Sequence, residues 1–203
     1  MISGLDNIDG QTPLDPDELE GLKHSHVMVR GQLDQLEQAN IQDAMIWLGR
    51  QKNPDILSDD FARQLHRRML GEVWAWAGTY RLTEKNIGVD PRQILTKLRD
   101  LLDDVRYWVE HNTYPPVEIA LRFHHRLVYI HPFANGNGRF GRIIADELLS
   151  KVLGAEPVNW GGGYDLQAMN ERREQYIAAL RAADGSDYSL LFEFAGYTPD
   201  SLL

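Results

Sequence analysis

Cysteine is absent from this chain of 203 residues, and long apolar runs are absent as well. Without a thiol, the chain cannot form disulfides, thiolate zinc sites, iron–sulfur clusters or a catalytic cysteine. Its apolar runs are a few residues long, far short of the ~20 residues that a membrane span needs. The acidic N-terminus also lacks the basic and then apolar start of a signal peptide, so we expect a soluble protein in the cytoplasm.

Positive charge is scarce. Lys and Arg number 21 against 30 for Asp and Glu, which gives a formal net charge of −9. A chain with this balance is not expected to bind nucleic acid directly or to bind anionic membranes. Apolar residues make up 43% and charged residues 25% of the chain, the balance of an ordinary globular domain that buries its own core.

Apolar residues recur at helical spacing over most of the chain, which predicts an all-α fold. In the helix near 29–51 the apolar stripe would be Leu33, Leu36, Ile41, Met45 and Leu48. One segment differs: between Gly78 and Val89, β-prone residues surround a polar centre, which is typical of a β-hairpin or an ordered loop, and the predicted fold class is all-α with one small β-hairpin. Residues 1–14 are predicted to be a loose lead-in, and the remaining helices are predicted from Asp15, from Ser58, from Asp90, and near 117–130, 138–153, 166–183 and 188–195.

Residues 119–145 run against the acidic average, since they hold four arginines and no Asp or Glu. Within them, the Asn-Gly-Asn-Gly sequence at 135–138 is a poor helix interior, because each glycine there costs about 1 kcal/mol. It can form a tight turn that opens the next helix. The backbone N–H groups of Gly136, Asn137 and Gly138 would then be unpaired and aimed at one spot, where the helix dipole favours an anion.

Charged side chains next to this turn suit the same ligand. Arg139 and Arg142 lie three residues apart, so both would project from one side of the helix, and their planar forks match phosphate oxygens. His131 would lie at the lip of this nest, where an imidazole can take a proton from an incoming hydroxyl. The residues therefore predict a polyphosphate site with a histidine base.

At these residues the chain resembles the Fic (filamentation induced by cAMP) family, whose motif is H-x-F-x-[D/E]-G-N-G-R-x-x-R. The motif stands here as HPFANGNGRFGR, from His131 to Arg142. The likeness includes WAWAGTYRLTEKNIGV at Trp74–Val89 and the later segment YIAALRAADGSDYSLLFEFA. The segment GQLDQLEQANI is similar to the subgroup called mobile mystery protein B. The resemblance implies a helical extension over 1–54, a Fic core over 55–196 and a tail over 197–203.

The resemblance implies AMPylation: AMP passes from ATP to a Ser, Thr or Tyr hydroxyl of a target protein, and pyrophosphate leaves. It makes His131 the general base and Arg142 the contact of the γ-phosphate. Gly136, Asn137 and Gly138 would form the hole for the α- and β-phosphates, with Arg139 as a further phosphate contact. A flap would bind an extended segment of the target by strand addition; its residues are Arg81, Leu82, Thr83, Asn86, Ile87 and Gly88.

One motif position departs from the family pattern. The acidic residue that ligates magnesium in the family is Asn135 here. An Asn carbonyl can bind Mg²⁺ but brings no charge, so the phosphates would carry most of the metal's binding. Two alternatives therefore stay open: a weakly active or inactive nucleotide-binding module of a toxin–antitoxin-like pair, and transfer of another nucleotide.

Restraint within the chain is not predicted. Many Fic proteins carry an S/T-x-x-x-E-[G/N] helix whose Glu pairs with the second motif arginine, here Arg142. Ser189 and Glu193 have that spacing, but Phe194 follows them, so an ordinary helix is the simpler interpretation. A helix near 26–40 offers Gln32 and Glu37 without an upstream Ser or Thr. The subgroup resemblance points instead to a separate inhibitory partner, a helix-turn-helix protein.

The other histidines are not expected to ligate a metal. His124 and His125 point about 100° apart on a helix, and no carboxylate lies nearby in the sequence, so both are predicted to be packing residues. His66 and His111 are predicted to lie at the surface or to cap a helix.

Overall fold

The structure is a computed structural model that describes residues 16–161, 166 and 170–199. Residues 1–14, the predicted lead-in, lie outside the described residues. The helices are α1 (Pro16–Leu19), α2 (Arg30–Gly49), α3 (Asp59–Leu70), α4 (Ile94–His111), α5 (Pro116–Ile130), α6 (Asn137–Lys151), α7 (Glu171–Asp184) and α8 (Ser189–Phe194), and a 3-10 turn at Pro91–Gln93 precedes α4. The predicted all-α fold is confirmed. None of the helices in the described part is long and apolar enough to cross a membrane.

Helix boundaries follow local capping signals. Ser58 caps α3 as predicted, since its Oγ accepts a hydrogen bond of 3.2 Å from the N–H of Phe61. The predicted start of α7 near Leu166 is wrong. The helix begins at Glu171 because Oδ1 of Asn170 accepts from the N–H of Arg173 at 2.9 Å and fixes Asn170 as the cap.

The β-hairpin predicted between Gly78 and Val89 is also wrong, whereas the alternative interpretation, an ordered loop, agrees with the structure. Residues 78–89, which we call the flap, form an irregular loop without a ladder between its two arms. Each arm bonds to the segment after α5 instead: the N–H of Arg81 donates to the Pro132 carbonyl at 3.0 Å, and the N–H of Val89 donates to the Ile130 carbonyl at 3.3 Å. Because both arms bond to residues 130–132, they do not pair with each other.

The core surrounds α5, which packs against both α4 and α6. α2 lies along α3, and α7 packs with α8. Leu33, Ile41 and Leu48 are buried on α2 as predicted, but Met45 is 45% exposed, so its place in the apolar stripe is wrong. Because α5 and α6 are neighbours joined by a short loop, residues 131–136 are held at one end of this helix pair.

Candidate active site

Two left-handed residues shape the loop between α5 and α6. His131 has φ 53° just after α5, and Gly136 has φ 78° just before α6. The buried side chain of Asn137 closes the loop, because its Oδ1 accepts from the N–H of Phe133 at 3.0 Å and its Nδ2 donates to the Phe133 carbonyl at 2.8 Å. Phe133 is fully buried and anchors the loop in the core. The side chain of Asn137 is thus structural, and its backbone faces the site.

The start of α6 provides the predicted anion nest in part. The N–H of Phe140 donates to the Gly136 carbonyl at 2.9 Å, so the N–H groups of residues 137–139 come before the first helical bond. The prediction that the Gly136 N–H is unpaired is wrong. That group donates to Oδ1 of Asn135 at 2.7 Å, since a short amide side chain can reach the adjacent backbone.

The two motif arginines have different surroundings. Nη1 of Arg139 lies 2.6 Å from Oε2 of Glu37 on α2, and Oε1 of Glu37 accepts from Nε1 of Trp74 at 2.6 Å. The guanidinium group of Arg142 lies over the ring of Tyr176, 5.3 Å from its centroid. The carboxylate at Arg139 was not predicted, because Glu37 was considered only as a partner for Arg142.

A cavity of about 460 Å³ opens in front of the loop. This volume is in the range of small-molecule and cofactor sites. Among the predicted site residues, the cavity is lined by His131, Asn135, Asn137, Gly138, Arg139, Arg142, Asn86, Ile87 and Gly88. Gly136 and the flap residues Arg81, Leu82 and Thr83 are not part of its lining.

Helix α7 forms the opposite wall of this cavity with residues that the sequence did not single out. Arg173, Ile177 and Leu180 lie there together with Tyr176. The hydroxyl of Tyr176 is 3.0 Å from Nε2 of His124, so a buried polar chain runs from α5 through Tyr176 to Arg142. His124 and His125 are both buried, in agreement with their predicted packing roles.

His131 has the protonation state of a base. Its Nδ1 is 3.2 Å from the Val128 carbonyl, an acceptor, so Nδ1 carries the hydrogen and Nε2 holds the lone pair. Burial lowers the pKa of His131 to about 4. The hydrogen bond to the Val128 carbonyl opposes this lowering, whereas the nearby cations Arg81 and Lys85 lower the pKa further. The imidazole is therefore neutral at pH 7.

His66 contacts the motif loop, which its sequence did not predict, and its predicted position at the surface or as a helix cap is wrong. It is fully buried, and burial lowers its pKa to about 3. Nδ1 accepts from the N–H of Gly78 at 3.0 Å, so Nε2 carries the hydrogen and donates to the Asn135 carbonyl at 3.0 Å. The ring thus joins the base of the flap to the motif loop. The one available signal was its place on the apolar stripe of α3, between Leu65 and Met69.

The two cationic residues of the flap are turned inward or paired with the N-terminal segment. The side chain of Arg81 is buried, whereas its neighbour Leu82 is 89% exposed. Lys85 forms an ion pair with Glu18, and Nε1 of Trp76 donates to the Glu18 carbonyl at 3.0 Å. Within the described residues, no group of three or more His, Cys, Asp or Glu side chains is placed to hold a metal ion.

Comparison with known proteins shows the family. Residues 56–149 match the sequence model of the Fic/DOC family. The chain is 31% identical over 144 residues to protein adenylyltransferase fic-1 of Caenorhabditis elegans, and 36% identical over 112 residues to protein adenylyltransferase Fic of Nematostella vectensis. These alignments cover 67% and 53% of this chain but only 26% of each relative, so the chain spans about a quarter of their length.

A solved structure agrees with this assignment. The structure of C. elegans Fic-1, residues 134–508, aligns with 80% of this chain and 48% of its own length, with a TM-score of 0.65 and 26% sequence identity. The family match over residues 56–149 includes α5, the motif loop and most of α6. The chain therefore carries a domain of the Fic/DOC family.

Proposed function

We propose that this chain is a protein adenylyltransferase, which transfers AMP from ATP to a Ser, Thr or Tyr hydroxyl of a target protein. The observation that carries the proposal is the meeting, at one cavity, of a buried neutral His131 with the start of α6 and two arginines. Both curated relatives described above are named protein adenylyltransferases, which supports the same reaction class.

The phosphates would bind at the start of α6. The N–H groups of Asn137 and Gly138 and the helix dipole suit the α- and β-phosphates. A Cβ at Gly138 would lie 3.6 Å from Nη1 of Arg142, so the glycine leaves room for a phosphate beside that guanidinium group. Arg142 would then bind the γ-phosphate, with Arg139 as a further contact.

The transfer step needs one base. The target hydroxyl gives its proton to Nε2 of His131 while its oxygen bonds to the α-phosphorus. The bond between the α-phosphorus and the oxygen that bridges to the β-phosphorus breaks, and pyrophosphate leaves with that electron pair. Because His131 is neutral at pH 7, it can act without first losing a proton.

The flap would place the target. Asn86, Ile87 and Gly88 line the cavity, and Leu82 is exposed at the outer edge. The N–H groups of Arg81 and Val89 are already bonded inward, so an extended target segment could add to the stretch between them.

The residues present do not fit a magnesium site of the protein's own. Oδ1 of Asn135 accepts from the N–H of Gly136, and no carboxylate replaces the family's acidic ligand at this position. Mg²⁺ that enters with ATP would be held mainly by the phosphates.

Labelled nucleotides test the proposal directly. ATP labelled at the α-phosphate should mark a protein in a cell lysate, whereas ATP labelled at the γ-phosphate should not. His131→Ala should abolish labelling while ATP still binds. His111→Ala is the matched control, because His111 is exposed at the end of α4. Equal labelling from the γ-phosphate, or full activity of His131→Ala, would contradict the proposal.

A second candidate function is a nucleotide-binding module with little catalysis, and the absence of a carboxylate at Asn135 favours it. Asn135→Asp discriminates between the two. A large magnesium-dependent gain in transfer indicates a weakened enzyme, and no gain in a protein that binds ATP indicates the module. Asn53→Asp, in an exposed turn, controls for the added charge. The helix-turn-helix partner inferred from the subgroup resemblance stays a prediction.

A further inference from the structure

The side chain of Arg81 is 4% exposed, and its guanidinium group bonds to four main-chain carbonyls. Nε donates to His131 at 2.6 Å, Nη1 donates to Thr83 at 2.9 Å, and Nη2 donates to Val89 at 2.5 Å and to Ile130 at 3.4 Å. Two of these acceptors lie on the flap and two lie at the end of α5. The sequence resemblance assigned Arg81 to target docking, but a side chain in this position cannot touch a target.

The guanidinium group of Arg81 is closely packed against the flap backbone at Gly88. Gly88 has φ 112°, and a Cβ there would lie 2.6 Å from Nη2 of Arg81 and 2.6 Å from the Cβ of His131. The flap backbone therefore rests directly on both residues. The backbone of Arg81 adds a further tie, since its N–H donates to the Pro132 carbonyl at 3.0 Å.

These bonds act on a strained residue. His131 has φ 53°, a left-handed backbone conformation that residues other than glycine adopt at a cost in free energy. Its carbonyl is held by Nε of Arg81 on one side of the peptide chain, and the carbonyls on the flap are held by Nη1 and Nη2. Only a planar fork reaches acceptors in these directions at once, and the single ammonium group of a lysine does not.

We propose that Arg81 is a positioning residue for His131: its guanidinium fork fixes the left-handed main chain of the base and closes the flap against it. The inference rests on the proposed function, because it assigns Arg81 to the placement of the proton acceptor in that reaction. It adds a residue outside the H-x-F motif to the machinery of the transfer.

The charge of Arg81 gives a readout that a merely structural role would not move. On the flap, Arg81 and Lys85 both lower the pKa of His131, and on α5 the Val128 carbonyl raises it. Burial lowers the pKa of Arg81 itself, and the carboxylates of Asp90, Glu18 and Glu84 oppose that shift. Loss of the Arg81 charge should therefore raise the pKa of the base, whereas loss of the fork alone should not.

The test compares Arg81→Lys, which keeps the charge, with Arg81→Gln, which removes it. Arg92→Gln is the control, because Arg92 is exposed and bonds to Asp90. Three quantities are measured: kcat for transfer, the Kd for ATP, and the His131 pKa by NMR of the imidazole. We expect kcat to fall about 10- to 100-fold in both variants with little change in Kd, and the His131 pKa to rise in Arg81→Gln only.

The proposal would be overturned if both folded variants kept the wild-type kcat. It would also be overturned if the affinity for ATP fell as much as kcat while the His131 pKa stayed unchanged in Arg81→Gln. Should a variant fail to fold, NMR of the wild-type protein decides: the Nε proton of Arg81 must exchange far more slowly than that of Arg92, and equal exchange rejects the proposal. These NMR measurements need no activity. A wild-type protein that transfers no AMP would therefore refute the proposed function while the placement of His131 is still tested.

Discussion

Glu37 on α2 and Arg139 on α6 form an ion pair across 102 positions of the chain, with 2.6 Å between Oε2 and Nη1. Both side chains are largely buried, and Nε1 of Trp74 holds the other oxygen of Glu37 at 2.6 Å. α2 lies outside the matched family region 56–149, yet it pairs a carboxylate with Arg139, a residue that lines the cavity. Under the proposed function, a bound triphosphate would share Arg139 with this carboxylate.

Removal of that carboxylate should have two opposite effects. Glu37→Gln leaves the guanidinium group of Arg139 without its buried counter-ion, so we expect a loss of about 3 kcal/mol in the free energy of unfolding without nucleotide. ATP should bind more tightly, because a competing negative charge is gone. Urea unfolding and calorimetric titration with ATP measure the two effects. Glu110→Gln, an exposed glutamate on α4, is the control, and an unchanged stability together with an unchanged Kd would contradict this expectation.

The pH dependence of transfer should differ from that of an ordinary histidine. Burial holds the pKa of His131 at about 4 instead of 6.5, so the base stays neutral well into the acid range. We expect kcat/KM to stay flat from pH 7.5 to about 5.5 and to fall only as the pH approaches 4. A rate profile in buffers of constant ionic strength measures this, and a half-maximal rate near pH 6.5 would show that the imidazole is exposed in the working enzyme.

Fold stability should fall as the pH drops below 6.5. Burial lowers the pKa of His66 and His124 to about 3 and that of His131 to about 4, so below 6.5 the unfolded chain takes up protons that the folded chain does not. Each of these histidines then lowers the free energy of unfolding by up to about 1.4 kcal/mol per pH unit. Asp146 acts oppositely, since burial raises its pKa to about 6 and protonation below that value relieves the penalty.

Urea unfolding between pH 7 and pH 5 measures this loss. His124→Phe should reduce the slope of stability against pH by the share of one histidine. His111→Ala, which removes an exposed ring, should leave the slope unchanged. A wild-type stability that does not change over this range would contradict the assignment of neutral buried histidines.

Two glycines of the motif should respond differently to alanine. At Gly136, φ is 78° and a Cβ would lie 2.6 Å from Cδ1 of Leu70, so Gly136→Ala should destabilise the fold by roughly 1 to 3 kcal/mol. At Gly138, a Cβ would meet atoms no nearer than 3.6 Å, so the fold should tolerate the change. That methyl group would nevertheless occupy the space beside Arg142, and ATP binding should weaken at least tenfold.

Thermal unfolding and ATP titration separate the two glycine variants. Gly31→Ala is the control, because a Cβ at this helical position would meet no atom within 4 Å. If Gly138→Ala bound ATP as tightly as the wild type, the phosphates would have to lie elsewhere in the cavity.

Local signals in the sequence predicted most of the helices and the motif loop. Ser58 indicates a helix start and Gly136 indicates a turn, because both effects depend on adjacent residues. The flap was predicted as a hairpin because its strand propensity was visible, whereas the inward bonds of Arg81 depend on residues 50 positions away. His66 and Glu37 were missed as site residues for the same reason, since their partners lie 69 and 102 positions along the chain.

The ion pair between Lys85 and Glu18 bears on how fragments of this protein should be cut. A fragment trimmed to the family match would begin at residue 56 and would discard both Glu18 and Glu37. It would keep the motif loop and the flap but lose the two carboxylates that pair with Lys85 of the flap and with Arg139 of the cavity lining. The shortest piece that preserves both ion pairs therefore has to include residue 18.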